Sequence, residues 1–183
     1  VYALPNKDGE YVGLENGVSS TSGSIDDFSR INPAFGNKSR PALFITYSEV
    51  QFLLAEAAAL QLINGDAEAF YNNAIKANFL SLELSNEQYQ EFIQGDLTSY
   101  SGLNSILMQK WVALFGRGLE AWTEYRRTGI PQLKPANNAF VNAVPSRFLY
   151  PLSEEQTNNA NLQQAIQSLD NGDALNSKLW WMN

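Results

Sequence analysis

The sequence predicts an all-α fold of helical hairpins joined by long loops. Three observations lead there. Apolar residues recur at helical spacing in several segments, the first being Tyr47, Val50, Leu54 and Ala57. Helix-start residues and glycine stops bracket those segments, as in Ser85-Asn86-Glu87-Gln88 and Asn64-Gly65. No segment alternates apolar and polar residues over strand length with β-branched enrichment.

Residues 1–40 read as an irregular, loop-rich lead-in. Gly9, Gly13, Gly17 and Gly23 punctuate it, and Ser19-Ser20-Thr21-Ser22-Gly23-Ser24 is a polar loop. So long an irregular stretch does not suit an independent unit, and it is expected to be a connection lying against structure outside this chain. The helical region is expected over residues 41–183. Ser48 or Thr46 is placed to cap a first helix, and Glu49 suits its first turn. Its expected buried stripe is Tyr47, Val50, Leu54, Ala57 and Gln61, widened by Leu53 and Leu60. Asp66 caps a second helix whose inner face is Ala67, Phe70, Tyr71, Ala74, Ile75 and Asn78. The connection is short, so the two are antiparallel neighbours.

Ser85 and Gln88 have capping-box spacing for a third, short helix that Gly95 stops. Leu103, Ile106, Leu107, Lys110, Trp111, Leu114 and Phe115 give the clearest amphipathic helix. Gly116 and Gly118 interrupt it; Leu119, Trp122 and Tyr125 continue a helical face until Gly129 and Pro131. Residues 131–150 form a loop, Ser153-Glu154-Glu155-Gln156 reads as another capping box, and a last helix runs from about Leu162 to Leu169.

The first hairpin fits part of the tetratricopeptide pattern. Ala67, Tyr71 and Ala74 match its second helix, and Leu54-Ala55 match its first. Small residues let the helices approach, and the aromatic fills the gap between hairpins. Its glycine, first tyrosine and closing proline have no match here. One such repeat cannot bury its own face, so this hairpin calls for a neighbour.

Composition excludes several chemistries. The 183 residues contain no Cys and no His. That removes thiolate and HExxH zinc sites, cysteine nucleophiles and Ser-His-Asp catalysis. A net charge of −7 leaves no basic footprint for nucleic acid. Apolar runs stop at a handful of residues, as in Phe52-Leu53-Leu54-Ala55, far short of a membrane-spanning helix. The chain starts Val1-Tyr2-Ala3-Leu4-Pro5, without Met or a signal peptide, and is expected to be a piece of a larger protein.

Three segments carry a resemblance. They are Ile45-Thr46-Tyr47-Ser48-Glu49-Val50-Gln51-Phe52-Leu53-Leu54-Ala55-Glu56-Ala57, then Gln109–Phe115 continued by Gly118–Pro131, then Pro145-Ser146-Arg147-Phe148-Leu149-Tyr150-Pro151. In order and spacing they resemble the C-terminal half of the SusD/RagB-like outer-membrane lipoproteins, across roughly residues 40–181. The resemblance implies the C-terminal part of a SusD-like fold and a non-catalytic cell-surface protein that binds a nutrient, a glycan in the first instance. It implies as partners a SusC-like TonB-dependent transporter and an oligo- or polysaccharide ligand, with no nucleic acid. It implies an outer-membrane location through an N-terminal lipid anchor that this chain does not contain. No cofactor is implied.

Candidate sites are few. Glu120 and Glu124 lie on one helix face and do not flank a substrate as paired glycosidase carboxylates must. Glu124 with Arg127, and Glu120 with Arg117, are expected to form ion pairs, and Arg126-Arg127 to complement a helix C-terminus. Glu49 and Glu56, two turns apart, are also expected to be structural. Asp26-Asp27, Asp170 and Asp173 lack an EF-hand spacing, so no metal is assigned. Trp111 and Trp122 lie on amphipathic faces and are expected in the core. Trp180 and Trp181 are adjacent near the end and cannot easily both be buried, so they are the candidate ligand-binding residues; the 19 Asn and 11 Gln would supply planar amides for a sugar. The alternative function is a helical protein–protein scaffold without a small ligand. A third, a glycoside hydrolase or lyase, would depend on Glu120.

Overall fold

The computed structural model describes residues 1–18, 23–95 and 98–182. The Ser19–Ser22 part of the expected polar loop lies outside the described residues. Among the described residues there are seven α-helices and one minimal strand pair, β1 (Ala3–Leu4) antiparallel to β2 (Arg30–Ile31).

The helices are α1 (Tyr47–Ala59), α2 (Ala67–Ser81), α3 (Asn86–Ile93), α4 (Leu103–Ala113), α5 (Gly118–Thr128), α6 (Leu152–Thr157) and α7 (Asn159–Gln167). Their starts follow local chemistry. The Thr46 hydroxyl, not Ser48, accepts the Glu49 amide at 3.1 Å and caps α1. Asp66 accepts the amides of Glu68 and Ala69 and caps α2. Ser85 and Gln88 form the reciprocal capping box of α3. Gly116 turns the chain between α4 and α5 at φ +82°, and Gly129 closes α5 in the left-handed conformation at φ +70°. The capping box at Ser153 does not form. Pro151 precedes α6 and the helix begins at Leu152, which places Ser153 inside it. The last helix starts at Asn159, earlier than its apolar residues indicate.

The core lies where α1, α2, α3 and α4 meet. Phe52, Ala55, Tyr71, Ala74, Ile75, Tyr89 and Ile106 form one buried cluster. Ala55 and Ala74 are fully buried, as close helix approach requires, and the Tyr71 hydroxyl donates to the Thr98 carbonyl at 2.8 Å. The buried face of α1 is not the expected one. Ser48, Gln51, Phe52, Ala55 and Glu56 point inward, whereas Tyr47, Val50, Leu53 and Leu60 are exposed. The helix carries apolar residues nearly all round, so periodicity alone does not choose a face. Small side chains choose it: Ser48 tucks its hydroxyl onto the Ala74 carbonyl at 2.8 Å, which lets α2 come close. Leu119 is likewise exposed rather than part of an inner α5 face.

Part of the lead-in packs on this chain. Tyr2, Phe35 and Phe115 form an aromatic triad with centroids 4.8–5.5 Å apart, and the Asn78 amide donates to the Tyr2 hydroxyl at 2.8 Å. No helix among the described residues is long and apolar enough to cross a membrane.

Candidate functional site

Trp122 and Arg126 stand four residues apart on α5 and therefore share a face. The Trp122 indole N–H donates to the Pro145 carbonyl at 2.9 Å, and its ring meets Phe148 edge-on at 5.5 Å. The Arg126 guanidinium lies 3.7 Å over the Trp122 ring and 4.9 Å from the Trp181 ring. It is held in a cation–π sandwich between a helix and the chain's last described turn. Its Nη1 donates to the Ser146 carbonyl at 3.1 Å and its Nη2 to the Thr123 hydroxyl at 3.3 Å.

The turn that carries the tryptophans is tied down. The Ser146 amide donates to the Leu175 carbonyl, and its hydroxyl lies 2.7 Å from the Ser177 carbonyl. Ser177 is fully buried, its hydroxyl donating to the Gly172 carbonyl at 2.6 Å. Arg147 pairs with Asp173 at 2.5 Å, and Asp173 also accepts the Tyr150 amide. On this base Trp181 is half-buried against Arg126, while Trp180 is 95% exposed. The two candidate residues thus differ: one ring is anchored and its neighbour is presented to solvent. Trp122 is only half-buried, and so is Trp111; neither is the enclosed core residue expected of it.

Sequence reasoning missed Arg126, Ser146 and Phe148 as parts of this assembly. The four-residue spacing of Trp122 and Arg126 was the available signal. Nothing in the sequence joined it to Trp181, which is brought in by tertiary contacts.

A second cluster is charged. Lys110, on the inner face of α4, places Nζ 3.0 Å from Glu124 and 3.6 Å from Glu56. Arg127 pairs with Glu56 at 2.6 Å and with Glu124 at 2.9 Å. Two carboxylates and two cations balance, linking α1, α4 and α5. Burial pushes the Glu124 carboxyl up, but the Arg127 hydrogen bond and the Lys110 charge outweigh it and hold the pKa below its ordinary value. Burial also opposes the charge on Arg127, yet its two carboxylate partners raise its pKa.

The Glu124–Arg127 pair is as expected. Glu120 does not pair with Arg117. Arg117 reaches back to Glu49 at 2.5 Å and to the Phe44 carbonyl, because the turn before α5 faces α1. Asp27 pairs with Lys7, Asp26 with Arg30, and Asp170 accepts the Lys178 amide. Among the described residues, no group of three or more acidic side chains is placed to hold a metal ion. An apolar cavity of about 390 Å³ lies among Phe52, Ile75, Phe79, Phe92 and Val112. Its lining is mostly apolar, with the amides of Asn78, Gln88 and Gln109 among it.

Residues 2–151 match the model of the SusD-like family described as starch-binding and associating with the outer membrane. No curated protein matches the sequence. A solved chitin-binding protein is 30% identical, with a TM-score of 0.77 over 86% of this chain and 37% of its own. A SusD homologue of Bacteroides fragilis is 25% identical, with a TM-score of 0.81 over 100% of this chain and 48% of its own. One from Parabacteroides distasonis, at 21% identity and a TM-score of 0.77, covers 100% and 43% and shows the fold alone. The chain spans less than half the length of each of these structures. With its helical architecture and the family match over residues 2–151, the chain belongs to the SusD-like family.

Proposed function

We propose that this protein is a non-catalytic, cell-surface nutrient-binding component of a SusC/SusD-type outer-membrane uptake system, and that its nutrient is a glycan. It works with a SusC-like TonB-dependent transporter and is held at the surface by a lipid anchor. Trp180, with Trp181 behind it, is a ligand contact. The observation that carries this reading is the exposed Trp180 ring beside an anchored partner, in a chain of a starch-binding family. A flat aromatic face on a pre-ordered base stacks on a sugar ring without first having to be ordered. The likeness to a chitin-binding protein supports a polysaccharide as ligand.

Calorimetric titration of the protein with maltohexaose and chitohexaose tests the reading. Binding in the micromolar-to-millimolar range is expected for at least one, and Trp180→Ala weakens it by about 0.5–1.5 kcal/mol, the scale of a stacked aromatic contact. Unchanged uptake of every nutrient in a strain deleted for the protein would overturn it. The exposed outer face of α1, with Tyr47, Val50 and Leu53, favours a second reading as a helical scaffold. That reading predicts no sugar affinity and a protein partner that protects α1 from hydrogen exchange.

A further inference from the structure

Arg126 is set apart from most of the other buried or half-buried cations. Lys110, Arg117, Arg127 and Arg147 each meet a carboxylate. Among the described residues none lies within ion-pair distance of Arg126. Its hydrogen-bond partners are a carbonyl and a hydroxyl, both neutral. Its Nε–H is buried without a partner, a feature it shares with Arg117. Five N–H donors therefore meet two acceptors, and the charge meets only ring faces. Burial alone lowers its pKa, with no acidic neighbour opposing the shift.

The position matters as much as the charge. Arg126 touches Trp181, and the next residue back is the exposed Trp180. Trp180 directly precedes Trp181, so the exposed ring and the residue stacked on the guanidinium belong to one turn. Arg40 is the nearest parallel, stacked on Phe35 at 4.0 Å without a carboxylate, but no exposed tryptophan accompanies it.

We propose that the Trp180 platform selects acidic glycans, with Arg126 taking the carboxylate or sulfate of a sugar whose ring stacks on Trp180. This rests on the glycan-binding reading above and adds the ligand's charge. The shared chemistry is an anionic group on a pyranose ring. Guanidinium matches either group through paired N–H···O bonds, here from Nη1 and Nη2 because Nε is buried, and Trp122 and Trp181 pack against its plane. The protein's net charge of −7 opposes a polyanion at long range, so selectivity resides in this contact and not in a general field.

Titration of the protein with an oligogalacturonate, a sulfated carrageenan oligosaccharide and maltohexaose, each at low and high salt, tests the proposal. One of the anionic ligands is expected to bind roughly tenfold or more tightly than maltohexaose at low salt, the worth of a charge-assisted hydrogen bond. The oligogalacturonate and carrageenan arms separate carboxylate from sulfate. The advantage shrinks with salt, and in Arg126→Gln the ratio of anionic-ligand affinity to maltohexaose affinity falls to about one. Trp180→Ala weakens all binding alike. Salt dependence in the unaltered protein keeps the test valid if Arg126→Gln loosens the tail. Equal affinity for neutral and anionic ligands, or a preference that survives Arg126→Gln in a folded protein, overturns this inference and leaves the glycan reading intact. Failure of all three to bind, together with no affinity for chitohexaose, overturns both.

Discussion

Lys110→Met tests the charged cluster that joins three helices. The Lys110 side chain is 3% exposed, and its ammonium lies 3.0 Å from Glu124 and 3.6 Å from Glu56. With an effective dielectric of about 20, each contact is worth roughly 5 kcal/mol of gross attraction. Withdrawing the charges from water costs several kcal/mol per ion, which offsets most of that gain. The balance changes when one partner goes. Methionine keeps the length and apolar stem of lysine, so packing is largely retained. Glu56 and Glu124 are then left sharing Arg127 alone, with one buried negative charge uncompensated. That costs about 3–5 kcal/mol. For a chain of this size it corresponds to a fall in melting temperature of roughly 10 °C. Adding Glu124→Gln restores neutrality, because Arg127 already pairs with Glu56 at 2.6 Å. The double variant is expected to recover more than half of the loss. Thermal unfolding followed by circular dichroism at neutral pH measures all three proteins. A single variant melting with the unaltered protein, or a double variant no more stable than the single, would refute the balance of charges described here.

Two further outcomes follow from the same structure. Glu124 has a folded-state pKa below its unfolded value, so its contribution is complete above the ordinary glutamate range, near pH 4.3, and is lost as pH falls through the lower folded value. Urea midpoints should therefore drop below about pH 4 in the unaltered protein, and less steeply in Glu124→Gln. Ala74 is fully buried where α1 and α2 touch, so Ala74→Leu should destabilise by about 1–3 kcal/mol through overpacking; an unchanged urea midpoint would show that the hairpin is looser than described.

Much of the helical framework was legible in the chain. Asp66 and the Ser85–Gln88 box act within one turn of their own backbone, so local chemistry was sufficient to place α2 and α3. The Ala55–Tyr71–Ala74 pattern marked the core for a similar reason: small and aromatic residues at fixed spacing leave few ways for two helices to pack. The box at Ser153 failed because the helix begins one residue earlier, at Leu152, which puts Ser153 inside it and not at its cap.

Which face a helix buries, and which charges meet, was decided elsewhere. The outer face of α1 is the more apolar by count, yet the inner one carries Ser48 and Ala55, and the approach of α2 selected it. Arg117 lies three residues from Glu120 but bonds to Glu49, because the fold brings the turn before α5 against α1. The aromatic pair at the end was visible as a pair, since two adjacent indoles resist joint burial. Which ring is presented depended on Arg126 lying between Trp122 and Trp181. The sequence by itself determined the starts of α2 and α3, the buried hairpin seam and the all-α class, because those depend on neighbours along the chain. Tertiary structure alone decided the partners of Lys110, Arg117 and Arg126, because the energy of a charge depends on what surrounds it in space.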